Sequence, residues 1–361
     1  MKILVFGAGA VGSYLGAKLM EAGHAVTLVC RPLAAEAITH HGLTIMPTKD
    51  AERPVAVHPR VVTSLRQAMM PEPQYDLVIP AMKSYDVDTA INELAAFYPQ
   101  VPWLLTVQNG IGLEEKFMGQ FGAQRVVAGS VTIPLNLQAA NVIKPERSDR
   151  GVAVAPVRQG QDVRQWRDLL QTAGINCVLT PDHRTLKWSK ALLNMVGNAT
   201  AAILNRHPRI VYDYRPTFEL EVAMLKEALA VMKKQGIRSI DLPGSPTRKL
   251  AWAVRYLPRE LLQPLLARAV GSGRGNKLPS FQIDLNAGKT VNEVLYHNGA
   301  VAQVGKTLGI PTPVNAALTS VLLRLARGEL EREAFSGSPK ALLRAVQRFR
   351  QQEEGEANAR G

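Results

Sequence analysis

Residues 2–16, KILVFGAGAVGSYLG, decide how the rest of the chain is read. Ile3, Leu4, Val5 and Phe6 are a short apolar run of the kind that makes a buried strand, and the run passes directly into Gly7, Gly9 and Gly12. Beyond the glycines, Tyr14, Leu15, Lys18 and Leu19 recur at helical spacing. Strand, tight turn and helix start, in that order, are what a dinucleotide pyrophosphate needs. Gly7 permits the sharp turn, Gly9 lets the backbone approach the phosphates with no Cβ in the way, and Gly12 lets the helix pack close to its strand. The turn Gly7, Ala8, Gly9, Ala10, Val11, Gly12 is therefore read as cofactor-binding, with the anion on unpaired N–H groups at the helix N-terminus.

The neighbouring stretches extend the same pattern. His24 to Cys30, HAVTLVC, alternates and is rich in β-branched residues, which makes it the second strand of a βαβ unit. Arg31 follows at once, where a site selective for NAD usually carries Asp or Glu and one for NADP needs a cation for the 2′-phosphate. Arg31 is thus an NADP contact or a solvated turn residue. Leu43–Met46 and Val55–Val57 read as short strands. Tyr75–Pro80 is a third strand of the parallel sheet and delivers Lys83 to its carboxyl edge, where nucleotides bind in doubly wound folds. Val101–Val107 delivers Gln108, Asn109 and Gly110 to the same edge. Asn109 is either a polar contact there or a left-handed turn residue. Arg125–Thr132, Gly151–Val157 and Asn176–Thr180 complete a sheet that alternates with helical segments such as Val163–Thr172.

The whole chain, 361 residues with 46% hydrophobic and 6% aromatic residues, is long enough for two or three cores, and two domains are expected. No apolar run approaches the roughly 20 residues of a membrane span, and the first strand is too short and too rich in glycine for a signal peptide. A cytoplasmic protein is expected. Cys30 and Cys177 have no CxxC spacing and sit in apolar surroundings, which predicts buried thiols, no disulfide framework and no metal site. The net charge of +13 suits anionic partners, but its Lys and Arg are spread along the chain without a nucleic-acid module.

Near Pro181 the pattern changes. Arg184 to Leu204 reads as one long helix, and nearly everything after it is helical, with breaks at Arg206–Arg209, Leu242–Pro246 and Gly271–Pro279. Lys190, Asn194 and Asn198 recur every four residues and would share one face of that helix. A plain amphipathic helix explains such a stripe, although asparagines in register with a lysine also suit hydrogen bonding to a ligand. Ser280 is a candidate helix cap, with Asp284 extending the first turn. Glu293, among Val291, Val294 and Leu295, is open to a surface reading.

Taken together, the glycine turn, Arg31, AMKSYD around Lys83, QNGIG around Asn109, WSKALLNMVGNATA around Lys190, and NEVLYHNGAVAQVGKTLGIPTPVN (292–315) resemble the ketopantoate reductase (2-dehydropantoate 2-reductase) family over nearly the whole chain to about Ala326. The resemblance implies an NADP-binding Rossmann domain, a doubly wound α/β sheet, over 1–181. It implies a helical substrate and catalytic domain like the C-terminal part of 6-phosphogluconate dehydrogenase over 182–328, with the active site in the cleft between the two domains. A helical extension would fill 329–361, with Arg344 and Arg348 on one face of an amphipathic helix at Pro339–Gln352.

By the same resemblance Arg31 and Lys83 hold the 2′-phosphate end of NADP(H), and Asn109 sits between nicotinamide and substrate. Lys190 is the general acid, Asn194 and Asn198 bind the substrate hydroxyl end, Ser280 contacts its carboxylate, and Glu293 lies beside cofactor and lysine. The implied reaction is NADPH-dependent reduction of 2-dehydropantoate to (R)-pantoate, in pantothenate and coenzyme A synthesis. The rivals are a paralogue reducing another 2-keto acid and a non-catalytic NADPH-binding regulator. The expected partner is a small 2-keto acid, with neither nucleic acid nor membrane, and the helical domain is where a homodimer contact would be expected. Three departures stand out: one extra residue between Gly288 and Glu293 with Asn292 in place of the customary Thr, Pro208 where some members carry a further amide, and the chain beyond Ala326.

Overall fold

The computed structural model describes residues 1–48, 53–70, 75–274 and 278–358, and the side chains of all of these but 271–274 and 353–358. The chain divides into two compact units, one of Met1–Lys187 with Asp241–Ser245, the other of Trp188–Ile240 with Pro246 onward.

In the first unit the strands are β1 (Lys2–Phe6), β2 (Ala25–Val29), β3 (Leu43–Ile45), β4 (Val55–Val57), β5 (Arg60–Val62), β6 (Leu77–Pro80), β7 (Trp103–Thr106), β8 (Val126–Val131), β9 (Leu135–Ala139), β10 (Val142–Pro145), β11 (Val152–Pro156) and β12 (Cys177–Leu179). Eight of them form one sheet in the order β12-β11-β8-β7-β6-β1-β2-β5, every neighbouring pair parallel except β8 with β11. Parallel sheets need cover on both faces, and the strands read accordingly as continuous apolar runs. Ile3, Leu4 and Val5 are fully buried, and all six residues of β8 are buried. Cover comes from α1 (Ala10–Glu21), α2 (Pro32–His41), α3 (Leu65–Met69), α4 (Val87–Ala95), α5 (Leu113–Phe121) and α6 (Arg164–Thr172). Leu15 and Leu19 of α1 and Trp166 of α6 join the same core, each buried aliphatic side chain stabilising it by about 1.5–3 kcal/mol. Both cysteines lie in this core, and burial pushes the Cys30 thiol up to about 11 and that of Cys177 to about 12.

The Rossmann-type sheet expected from the sequence is what the chain forms. The short strands expected at Leu43–Met46 and Val55–Val57 form as β3 and β4 of a second sheet, ordered β4-β3-β10-β9, whereas its β9 and β10 and the edge strand β5 of the first sheet escaped the sequence reading. They are strands of three to five residues whose burial is partial, so neither length nor alternation marks them. Asp241–Ser245 joins this unit through Thr132 Oγ1, which donates to the Pro243 carbonyl at 2.9 Å, and through a contact of Arg150 with Ser245.

The second unit is helical. It contains most of α7 (His183–Met195), then α8 (Ala199–Leu204), α9 (Pro208–Asp213), α10 (Arg215–Lys234), α11 (Thr247–Tyr256), α12 (Arg259–Arg274), α13 (Ser280–Asn286), α14 (Asn298–Leu308), α15 (Pro313–Ala326), α16 (Arg332–Phe335) and α17 (Pro339–Asn358). α10 is its buried axis, with Phe218, Val222, Leu225, Leu229 and Met232 at helical spacing. Glu227 on this helix caps α15: its carboxylate accepts from the backbone N–H groups of Val314 and Asn315, both at 3.0 Å, which satisfies two donors a helix start leaves open.

One expectation needs correction. The single helix over Arg184–Leu204 is two helices, because Gly197 turns left-handed (φ +59°) and Asn198 starts α8. Buried Glu221 fixes that break, accepting from Gly197 N at 2.8 Å and from the Tyr212 hydroxyl at 2.7 Å. The segment after Ala326 is helical and lies in the second unit, where Leu342 and Val346 of α17 are buried while Arg344 and Arg348 face solvent.

Candidate active site

In the sheet order, β7, β6, β1 and β2 are consecutive, and their carboxyl ends present Asn109, Lys83, the glycine turn and Arg31 in that sequence. β1 is the switch point: the chain runs outward through β2 and β5 and then returns to β6 on the other side, which opens the crevice where doubly wound sheets bind ligands. At about 4.8 Å per strand, these four ends span roughly 14 Å.

Each glycine of the turn has its own physical demand. Gly7 adopts φ +111°, a conformation side chains disfavour, and a Cβ there would stand 3.0 Å from Met82 N. A Cβ at Gly12 would run into the Gly7 carbonyl oxygen and lie 2.9 Å from Ala81 Cβ. Gly9, the N-cap of α1, has extended backbone and nothing within 4 Å of its missing Cβ. Only Gly9 is therefore small for the sake of something the protein itself does not supply, and the first turn of α1 holds no acidic residue to compete for an anion. These features fit a pyrophosphate. Arg31 is exposed at the start of α2, and Lys83 and Asn109 are half-buried. The Asn109 carbonyl accepts a 2.6 Å bond from Ser84 Oγ.

In the second unit, Lys190 and Asn194 lie one turn apart on α7, both half-buried, and Asn198 follows across the helix break. Asn198 Nδ2 donates to the Asn194 carbonyl at 3.0 Å and to Ser280 Oγ at 3.3 Å, while its Oδ1 accepts from Phe281 N at 3.2 Å. Asn198, 82 residues before Ser280, is thus tied to the first turn of α13. The cap expected of Ser280 is not formed: Pro279 precedes the helix as its N-cap, and the exposed Ser280 is its first residue. Asp284 pairs with Lys289 at 2.7 Å near the end of α13.

Asn292, named above as a departure, is bonded at both ends of its amide. Its Nδ2 donates to the Phe281 carbonyl at 3.1 Å, and its Oδ1 accepts from Val294 N at 3.0 Å, capping the short 3-10 helix Glu293–Tyr296. Glu293 is buried, only 3% exposed, so the surface reading of this residue fails. Asn198, Ser280, Phe281 and Asn292 form one connected chain of hydrogen bonds ending at the residue next to Glu293.

Several structuring contacts were missed in the sequence: that of Glu221 with Gly197, those of the Asn292 amide, and the buried pair Lys187–Glu114 at 2.8 Å. A signal existed for the first. Gly197 followed by Asn198 inside a helical pattern is a break signal that an i, i+4 count overrides. Among the described residues no group of His, Cys, Asp and Glu could hold a metal ion, and no helix is long and apolar enough to cross a membrane.

Comparison with known proteins identifies the family. The model of the family described as ketopantoate reductase PanE/ApbA matches residues 3–156, and that of its C-terminal part matches residues 182–326. A 2-dehydropantoate 2-reductase from Pyrococcus horikoshii is 29% identical over 325 residues, spanning 89% of this chain and 96% of that protein. One from Archaeoglobus fulgidus is 28% identical over 328 residues, spanning 91% and 97%. The solved PanE/ApbA family ketopantoate reductase from Ralstonia eutropha JMP134 matches with a TM-score of 0.74 at 24% identity, covering 91% of this chain and 99% of that one. A ternary structure of D-mandelate dehydrogenase with NADH and anilino(oxo)acetate also matches with a TM-score of 0.74, at 20% identity and the same coverage, a likeness of fold alone. With both family models matched in sequence, this chain belongs to the ketopantoate reductase family and is an oxidoreductase acting on a CH–OH group.

Proposed function

We propose that this protein is an NADPH-dependent reductase that converts 2-dehydropantoate to (R)-pantoate, a step of pantothenate and coenzyme A synthesis. The observation that carries the reading is the hydrogen-bonded chain Asn194–Asn198–Ser280–Phe281–Asn292, which holds the candidate substrate residues together beside buried Glu293. The names of the relatives support the same reaction. When bound, the reduced nicotinamide supplies a hydride to the keto carbon. Arg31 and Lys83 supply positive charge toward the 2′-phosphate, and the N–H groups at the start of α1 hold the pyrophosphate. Lys190 Nζ stabilises the oxygen as it gains charge and gives up the proton that makes it a hydroxyl, work worth a factor of roughly 100 to 10,000. Glu293 orients that ammonium, Asn109 lies toward the nicotinamide, and Asn194 and Ser280 present polar atoms to the substrate's hydroxyl and carboxylate ends.

A second reading, reduction of another 2-keto acid, is favoured by how Asn198 is spent. Both ends of its amide are already bonded within the protein, and Pro208 is a buried first residue of α9 that cannot stand in for an amide. Lys190→Ala tests the shared chemistry. It should leave NADPH affinity within about twofold and lower kcat by roughly 100-fold or more; unchanged turnover would remove Lys190 from the reaction.

A further inference from the structure

Under the Asn109 loop lies an ion pair that the chemistry above does not use. Lys187 Nζ stands 2.8 Å from Glu114 Oε1 and donates a further 2.8 Å bond to the Gln108 carbonyl, and the two side chains are 3% and 1% exposed. Both residues belong to the first unit, Glu114 in the first turn of α5 and Lys187 near the start of α7. Thr106 Oγ1, at the end of β7, donates to the same Oε1 at 2.7 Å, whereas Oε2 is buried with no hydrogen-bond partner among the described residues. A second pair runs alongside: His183 Nε2 lies 3.1 Å from Glu115 Oε1, four residues before Lys187 on α7 and one after Glu114 on α5.

Stability alone is a poor explanation for such a pair. Two charges taken out of water must recover several kcal/mol each, and a buried pair with one oxygen left unbonded gives no more stability than an apolar pair of the same size. What the pair adds is direction, because a dry ammonium must find acceptors, and among the described residues Lys187 finds, besides Glu114, the carbonyl immediately before Asn109. The same short stretch is held twice more. Gln108 Nε2 donates to the Pro80 carbonyl at 2.8 Å, and Ser84 Oγ donates to the Asn109 carbonyl at 2.6 Å. Gly110 (φ +107°) and Gly112 (φ +87°) follow, bringing no side chains to pack, so these polar holds set the path of the loop.

We propose that Lys187 is a positioning residue: paired with Glu114, it fixes the Gln108–Asn109 peptide and thereby sets where Asn109 meets the nicotinamide end of a bound dinucleotide. The proposal depends on the cofactor reading above. It is tested with Lys187→Met, which leaves Glu114 as a lone buried charge, and with Lys187→Met/Glu114→Gln, which removes both charges. Thermal midpoint is measured for each, together with the Kd for NADPH and for 2′,5′-ADP, the same molecule without its nicotinamide half. The double variant should regain most of the midpoint lost by the single one. In both variants NADPH should bind about tenfold or more weakly while 2′,5′-ADP is held as in the wild type. Equal Kd ratios in the double variant and the wild type would overturn the proposal and make the pair merely structural. Wild-type protein that binds neither ligand would instead refute the cofactor reading, and the proposal with it.

Discussion

Gly9 and Gly12 lie three residues apart in one turn, and alanine at each should do opposite things. At Gly12 the added methyl has no room, because it would overlap the Gly7 carbonyl oxygen and press on Ala81 Cβ at 2.9 Å and on Val5 Cγ1 at 3.1 Å. Such overpacking costs about 1–3 kcal/mol. For a unit of this size that is a fall of roughly 2–12 °C in the thermal midpoint. At Gly9 the methyl meets nothing within 4 Å, and the backbone (φ −76°, ψ −177°) suits any residue. Alanine there gains about 0.4–1 kcal/mol by restricting the unfolded chain and loses a similar amount as a poorer N-cap, so the free protein should keep its midpoint. Its methyl would occupy the space a pyrophosphate needs, so the Kd for NADPH should rise by about tenfold or more, or ~1.4 kcal/mol. Calorimetric unfolding of the free proteins and fluorescence titration with NADPH read the two quantities separately. If Gly9→Ala binds NADPH like the wild type, or is destabilised as much as Gly12→Ala, the assignment of this turn to a cofactor fails.

Two further outcomes follow from single side chains. Arg31→Ala, at an exposed position, should leave the thermal midpoint alone and weaken NADPH by at least about tenfold more than NADH in the same titration; equal weakening would reduce Arg31 to a helix-start residue. Burial would raise the Glu115 carboxyl, but the hydrogen bond and charge of His183, with Arg184 nearby, outweigh it and hold the group below its ordinary value. A depressed carboxylate stabilises the fold above its unfolded-state value, and that contribution is lost as pH falls through the folded one. Glu115→Gln should therefore cost about 0.5 kcal/mol in urea unfolding at neutral pH, the small size reflecting its half-exposed side chain, and the gap should close below about pH 4. A gap that widened with acid would contradict the pairing.

The parallel core was legible because its strands announce themselves. VFGAG, YDLVIP and VPWLLTV are each an apolar run followed by a turn, and burial matches the run throughout β6 and in β1 up to the half-buried Phe6. The second sheet was legible only as the short strands β3 and β4, because β3 pairs with β10 across nearly 100 residues of sequence and β9 and β10 are short and only partly buried. On the site, residue types in apparent register singled out Lys190, Asn194 and Asn198 as candidates. Periodicity could not reveal that Gly197 interrupts the helix, because the deciding partner, Glu221, lies 24 residues further on. Asn292 was noted only as a departure, yet its amide joins Phe281 to the start of the Glu293 turn. Lys187 and Glu114 were passed over for the same reason: sequence spacing cannot show that residues 73 apart share a buried pair.

The most direct measurement is NADPH oxidation followed at 340 nm with 2-dehydropantoate beside a panel of other 2-keto acids, under steady-state conditions. A kcat/KM for 2-dehydropantoate at least about tenfold above every other acid is predicted. A higher value for a different acid would assign the protein to the second reading, and no oxidation with any of them would contradict the reductase itself.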